Sequence, residues 1–137
     1  MKALKLDNYK YSGIDINAEF EPAINVLSGN SSTGKTLLMH AIENYCERSN
    51  DVGMSCRYFN SKDRKLSEEK ILSIAEDFDI ILFDNADLYM TRHIIDELKK
   101  TDKIVIMSIK IIFGLGLTRE PEYLLSYKNK KLKAVRF

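Results

Sequence analysis

The chain has little of what marks several protein classes. Among its 137 residues there are two cysteines, Cys46 and Cys56. Their spacing matches no metal-site pattern, and two thiols make no disulfide framework, so reduced cysteines are expected. Net charge is only +1, so global electrostatics select no polyanionic or membrane-surface partner. The opening "MKALKLDNYKYSGIDINAEF" carries charge from its second residue and has no apolar core of a leader, so no signal peptide is expected. The longest apolar run, "IVIMSIKIIFGLGL", is interrupted by Lys110 and weakened by Gly114 and Gly116. It is too short to span a bilayer, and the reading is a cytoplasmic protein without a membrane span. Repeats and low-complexity linkers are absent. No Ser/His/Asp or Cys/His constellation is visible, and His40 and His93 lie far apart.

What remains is an ordinary globular composition, 45% hydrophobic and 30% charged, with enough chain for one domain, 1–137, and no second. Residues 2–6 and 14–20 alternate polar and apolar and read as half-exposed strands paired across Ser12-Gly13. Residues 23–28, 79–84 and 103–109 are continuous apolar runs, the pattern of strands buried on both faces. Helical spacing predicts helices over 35–47, from Ser67 as N-cap through Phe78, and over 90–100. Residues 54–60 read as another strand and "SKDRK" as a charged loop. "EYLLSY" and "LKAVRF" flank "KNKK" as a hairpin. Strands alternating with helices predict an α/β fold with a mainly parallel sheet, antiparallel at its N- and C-terminal strands.

One stretch carries chemistry. Gly29-Asn30-Ser31-Ser32-Thr33-Gly34-Lys35-Thr36 matches G-x-x-x-x-G-K-[ST] at every fixed position, after a predicted strand and before a predicted helix. Glycines at 29 and 34 let the backbone wrap a phosphate chain. Amides from Ser31 to Thr36 would point inward as anion donors, aided by the helix N-terminus. Lys35 would reach the outer phosphates and Thr36 would offer its hydroxyl to Mg²⁺. The nucleotide-holding segment is thus Gly29 to Leu37. A Ser/Gly-rich turn that caps a helix and binds nothing is the plain alternative.

A second segment complements the first. In "DIILFDNAD", Asp84 closes the run Ile80-Ile81-Leu82-Phe83 and would emerge at the carboxyl end of a central strand, where open α/β sheets bind ligands. With Thr36 it makes a candidate metal pair. An acid that merely ends a strand is the alternative.

"GNSSTGKT" resembles a Walker A motif and "IILFD" a Walker B, the pair that marks P-loop NTPases. A predicted strand between the motif strands resembles the division of ABC, SMC-type, AAA and RecA-like ATPases. The N-terminal strand and hairpin running into the loop resemble ABC- and SMC-type heads. The resemblance implies ATP and Mg²⁺ as cofactors, and a homodimer or a larger protein partner to complete the site. ATP over GTP follows from the family alone. The departures are specific. Where many members place a glutamate that polarises water, this chain has Asn85, an amide that can orient water without taking its proton. Asp87 is the nearest substitute. There is no LSGGQ-like signature, and without any glutamine there is no glutamine loop. Ser108 stands where a switch histidine is expected and resembles a small polar sensor; an ordinary strand-end hydroxyl explains it equally well. Neither the helical insertion of ABC and SMC heads nor an AAA lid has room.

The resulting expectation is an ATP-binding, Mg²⁺-dependent ATPase with weak or partner-activated hydrolysis. Lys35, Asn85, Asp87 and Ser108 are the catalytic candidates. The alternative is a nucleotide-binding regulatory or interaction module that does not hydrolyse. A small-molecule kinase is a weaker third reading, since no arginine-rich acceptor lid stands out. Arg57, Arg64, Arg92 and Arg119 are candidate arginine fingers, and Tyr9, Tyr11 and Phe20 are better read as core or edge aromatics than as base-stacking groups. The basic cluster Lys128, Lys130, Lys131, Lys133 and Arg136 is better explained as a solvated hairpin turn than as a nucleic-acid surface.

Overall fold

The computed structural model describes residues 3–28, 34–48 and 53–136. Strands β1 (Leu4–Tyr11), β2 (Ile14–Phe20) and β3 (Ile24–Ser28) precede helix α1 (Lys35–Arg48). Strand β4 (Cys56–Phe59) and a 3-10 turn (Ser61–Lys65) lead into α2 (Glu68–Ala75) and β5 (Ile80–Phe83). A second 3-10 turn (Ala86–Leu88), α3 (Arg92–Lys99) and β6 (Ile104–Ser108) follow, and β7 (Glu122–Lys128) and β8 (Lys131–Arg136) close the order.

The strands join in one sheet ordered β1-β2-β8-β7-β3-β6-β5-β4. Four consecutive strands, β3, β6, β5 and β4, run parallel. The other half is built from two antiparallel hairpins, β1–β2 and β7–β8, each joined to its neighbour by a parallel pairing. The sheet is therefore mixed rather than clearly parallel, and its antiparallel pairs are the N- and C-terminal strands expected to be so. Hairpins pack edge to edge, so half the sheet needs no crossover helix.

The parallel half is apolar for a physical reason. Alternate residues of β3, β5 and β6 face opposite helices. Leu27, Ile80, Leu82, Ile104 and Ile106 pack with Leu38, Met39, Ala41 and Ile42 of α1. Val26, Ile81, Phe83, Val105 and Met107 pack with Ile71 of α2 and with Ile94, Ile95 and Leu98 of α3. Strands covered on both faces read as unbroken hydrophobic runs.

Both hairpins turn on two residues with positive φ, Ser12 (53°) with Gly13 (77°), and Asn129 (53°) with Lys130 (59°). Two consecutive positive φ values make a turn whose twist matches the flanking strands. Helix starts follow the side chains the sequence supplies: Ser67 Oγ accepts from Lys70 N at 3.1 Å and Thr91 Oγ1 from Ile94 N at 3.2 Å. The segment expected as a charged loop, "SKDRK", is instead a 3-10 helix. Asn60 and Asp63 form a reciprocal capping box that holds it. Among the described residues no helix is long and apolar enough to cross a membrane.

Candidate functional site

Because β3, β4, β5 and β6 are parallel, their carboxyl ends lie along one rim of the sheet. Such a rim, next to the N-terminus of a crossover helix, is where open α/β sheets hold ligands. Here it collects the end of β3, the first turn of α1, Asp84 just past β5 and Ser108 ending β6.

Of the predicted phosphate loop, Gly29, Asn30, Ser31, Ser32 and Thr33 lie outside the described residues. Gly34 has φ +93°, and a Cβ there would also come within 3.3 Å of the Leu132 side chain. The positive φ favours glycine, and an added Cβ would need the Leu132 side chain to shift by a few tenths of an ångström. Helix α1 begins at once: Leu38 N donates to Gly34 O at 2.9 Å. Lys35 is 5% exposed, Thr36 is exposed and Leu37 is half-buried.

Asp84 is the fixed point of the site. Its backbone N–H donates to Phe59 O at 2.8 Å, and its carbonyl accepts from the Tyr89 hydroxyl at 2.7 Å. Asp84 is 3% exposed. Its Oδ2 accepts from Thr36 Oγ1 at 2.8 Å and from Tyr58 OH at 2.7 Å. The structure thus brings together two side chains 48 positions apart that the sequence pairs as metal ligands. Tyr58 was not anticipated. It sits on β4, one strand over, and nothing in "CRYF" marks it; only the strand register aims its hydroxyl at Asp84.

Electrostatics follow from this packing. Burial pushes the Lys35 ammonium below its ordinary pKa, and repulsion from Lys110 pushes it further, while Asp84 and Asp87 pull it back up. Burial, then the bond to Asp84, raises the pKa of the Tyr58 phenol, which stays protonated as a donor. Tyr89 is raised by burial and by the Asp84 charge.

The other candidates divide. Ser108 is buried, 7% exposed, and ends the strand lying between β3 and β5. In register it pairs with Leu27, and the preceding Met107 pairs with Phe83, so it is adjacent to Asp84 across the sheet. Asn85 is exposed and left-handed, with φ 51° and ψ 48°. Asparagine tolerates that conformation better than most residues. Asp87 turns toward the segment after β6: its carboxylate accepts from Lys110 N at 3.0 Å and Ile111 N at 2.9 Å. It acts as a brace between two segments of the rim.

Two of the arginine candidates are engaged locally. Arg57 lies over the Phe59 ring at 5.1 Å, and Arg92 pairs with Asp96 on its own helix. Phe20 is fully buried against Tyr123, and Tyr9 donates to Asn44. Both are structural, as read from the sequence.

No protein-family model and no curated protein matches the chain. Solved structures do match it. A replication initiator DnaA bound to AMPPCP and single-stranded DNA superposes with a TM-score of 0.52 at 18% identity, over 70% of this chain and 35% of that one. An archaeal ribosome recycling factor aABCE1, in complex with the ribosomal stalk protein aP1, gives 0.55 at 12% identity, over 98% and 38%. A structure described as RNase-L Inhibitor gives 0.56 at 12% identity, over the same shares, 98% and 38%. This chain spans 35 to 38% of the length of those three. At such identities the likeness establishes the fold alone, a mixed α/β arrangement shared with these structures.

Proposed function

We propose that this chain binds ATP with Mg²⁺ at the 29–37 segment and hydrolyses it weakly, or at a rate set by a partner. The observation that carries the reading is the 2.8 Å bond between Thr36 Oγ1 and Asp84 Oδ2, which joins the end of the glycine-rich motif to the acid of the central strand.

Lys35 and the backbone amides of the loop hold the phosphates. A phosphate beside the buried ammonium would favour its charged form and offset the burial that lowers its pKa. The oxygen donors of Thr36 and Asp84 fit Mg²⁺, which takes few protein ligands and fills its remaining positions with water and phosphate oxygens. Among the described residues no cluster of three acidic, histidine or cysteine ligands occurs, and a site of this type does not need one. When bound, the ion would neutralise charge on the outer phosphates. Asn85, exposed just past Asp84, is the group left to orient a water, since the Asp87 carboxylate is taken up by the amides of Lys110 and Ile111, and Ser108 is read as a sensor of the outer phosphate. A homodimer or a larger protein completing the site, and a cytoplasmic location, belong to the same reading.

Calorimetric titration with ATP, with and without Mg²⁺, tests it. Wild type should bind, Mg²⁺ should strengthen the binding, and Lys35→Ala should abolish it. Binding that Lys35→Ala leaves intact would place the nucleotide elsewhere.

One observation favours the second reading, a binding module that does not hydrolyse. The residue after Asp84 is an amide, and both oxygens of Asp87 accept from backbone N–H groups, so no free carboxylate is assigned to take a proton from water. Single-turnover assays with labelled ATP separate the two: intact ATP after hours on a protein that holds it tightly selects the module.

A further inference from the structure

Two hydroxyls converge on one oxygen of Asp84. Thr36 is itself a candidate metal ligand, whereas Tyr58 belongs to no motif. It comes from β4, next to β5 in the sheet, with Tyr58 in register with Leu82. Its ring packs against His40 of α1 with centroids 4.9 Å apart, and His40 Nδ1 in turn lies 3.0 Å from Glu43 Oε1. Thr36 and His40 are one helical turn apart on α1. The ring of Tyr58 is therefore wedged between the loop's helix and the Walker B acid, with its hydroxyl on the carboxylate.

We propose that Tyr58 is a positioning residue for the metal half of this site: its hydroxyl fixes the rotamer of Asp84, and so sets how strongly Mg²⁺ adds to nucleotide binding. The proposal rests on the ATP·Mg²⁺ reading above. A buried carboxylate held by a single donor can turn about its χ angles. One held by two donors from different elements, α1 and β4, has its oxygens aimed in advance. Partners of metal-ligating carboxylates commonly matter to metal affinity by about 10-fold or more when removed. Of the two donors, Tyr58 is the one with no other task when the cation is bound.

The test is calorimetric titration of the full chain with ATP, in Mg²⁺ and in EDTA, for wild type, Tyr58→Phe, Asp84→Asn and the double variant. Phenylalanine keeps the ring against His40 and removes only the hydroxyl. Tyr58→Phe should lose about 10-fold in affinity in Mg²⁺ and nothing in EDTA. On the Asp84→Asn background it should cost nothing further. A Tyr58→Phe protein with the wild-type response to Mg²⁺ overturns the assignment, as does an equal loss with and without the ion, which would mark a purely structural residue. A wild-type protein that shows no Mg²⁺-enhanced binding overturns the nucleotide reading itself and this assignment with it.

Discussion

Asp84→Asn separates the structural role of the carboxylate from its metal role. Asparagine matches aspartate in shape and keeps a carbonyl oxygen that can accept from Thr36 and Tyr58. In the ligand-free protein each of those bonds loses its charge assistance, about 1 kcal/mol apiece. Relief from burying an anion offsets part of that, while Lys35 loses an attracting charge. The net destabilisation is thus at most about 2 kcal/mol. For a chain of 137 residues, each kcal/mol moves Tm by about 3–4 °C, so the ligand-free variant should melt within about 7 °C of wild type. Ligand linkage works in the other direction. ATP at 100 times its Kd stabilises by about 2.7 kcal/mol, a rise of about 9 °C on the same scale. Differential scanning fluorimetry with ATP, in Mg²⁺ and in EDTA, reads both effects. Wild type should gain more in Mg²⁺ than in EDTA, whereas Asp84→Asn should gain the same in either. A variant that keeps the full Mg²⁺-dependent rise would refute the assignment of Asp84 to the metal.

Three further outcomes are expected. Lys35 has a folded-state pKa below its ordinary 10.5, so the unfolded chain binds its proton more tightly, and this residue's contribution to stability rises as pH climbs from the folded value toward 10.5; Lys35→Met should remove that slope from urea denaturation measured across alkaline pH. Asn85→Glu places a longer side chain at φ 51° and should cost about 1 kcal/mol in denaturant melts, yet it should raise single-turnover ATP hydrolysis if the absent carboxylate is what limits chemistry; an unchanged rate would locate the limit elsewhere. Asn25 is fully buried in β3, and its Nδ2 donates to the carbonyls of Glu21, Ala23 and Val105, each at 3.0 Å; Asn25→Leu strands those acceptors and should destabilise by about 2–4 kcal/mol in the same melts.

Much of this molecule is legible in its sequence. The apolar runs at 23–28, 79–84 and 103–109 announced the central strands because burial on both faces leaves no room for alternation. The caps at Ser67 and the turn at Ser12-Gly13 were local chemistry, decided within a few residues. Thr36 and Asp84 were paired on a motif, and their juxtaposition is geometric.

Local patterns set the central strands, the helices and the motif spacing, since each depends on neighbours within a turn or a strand. Tertiary structure alone decided three things. It inserted the C-terminal hairpin between β2 and β3, making the sheet mixed, because edge pairing is a competition among strands distant in sequence. It set Asp87 against the amides of Lys110 and Ile111, where spacing had offered it to water. And it brought Tyr58 from a neighbouring strand onto Asp84, because strand register and the packing of α1 act across the fold and leave no periodic trace in "CRYF".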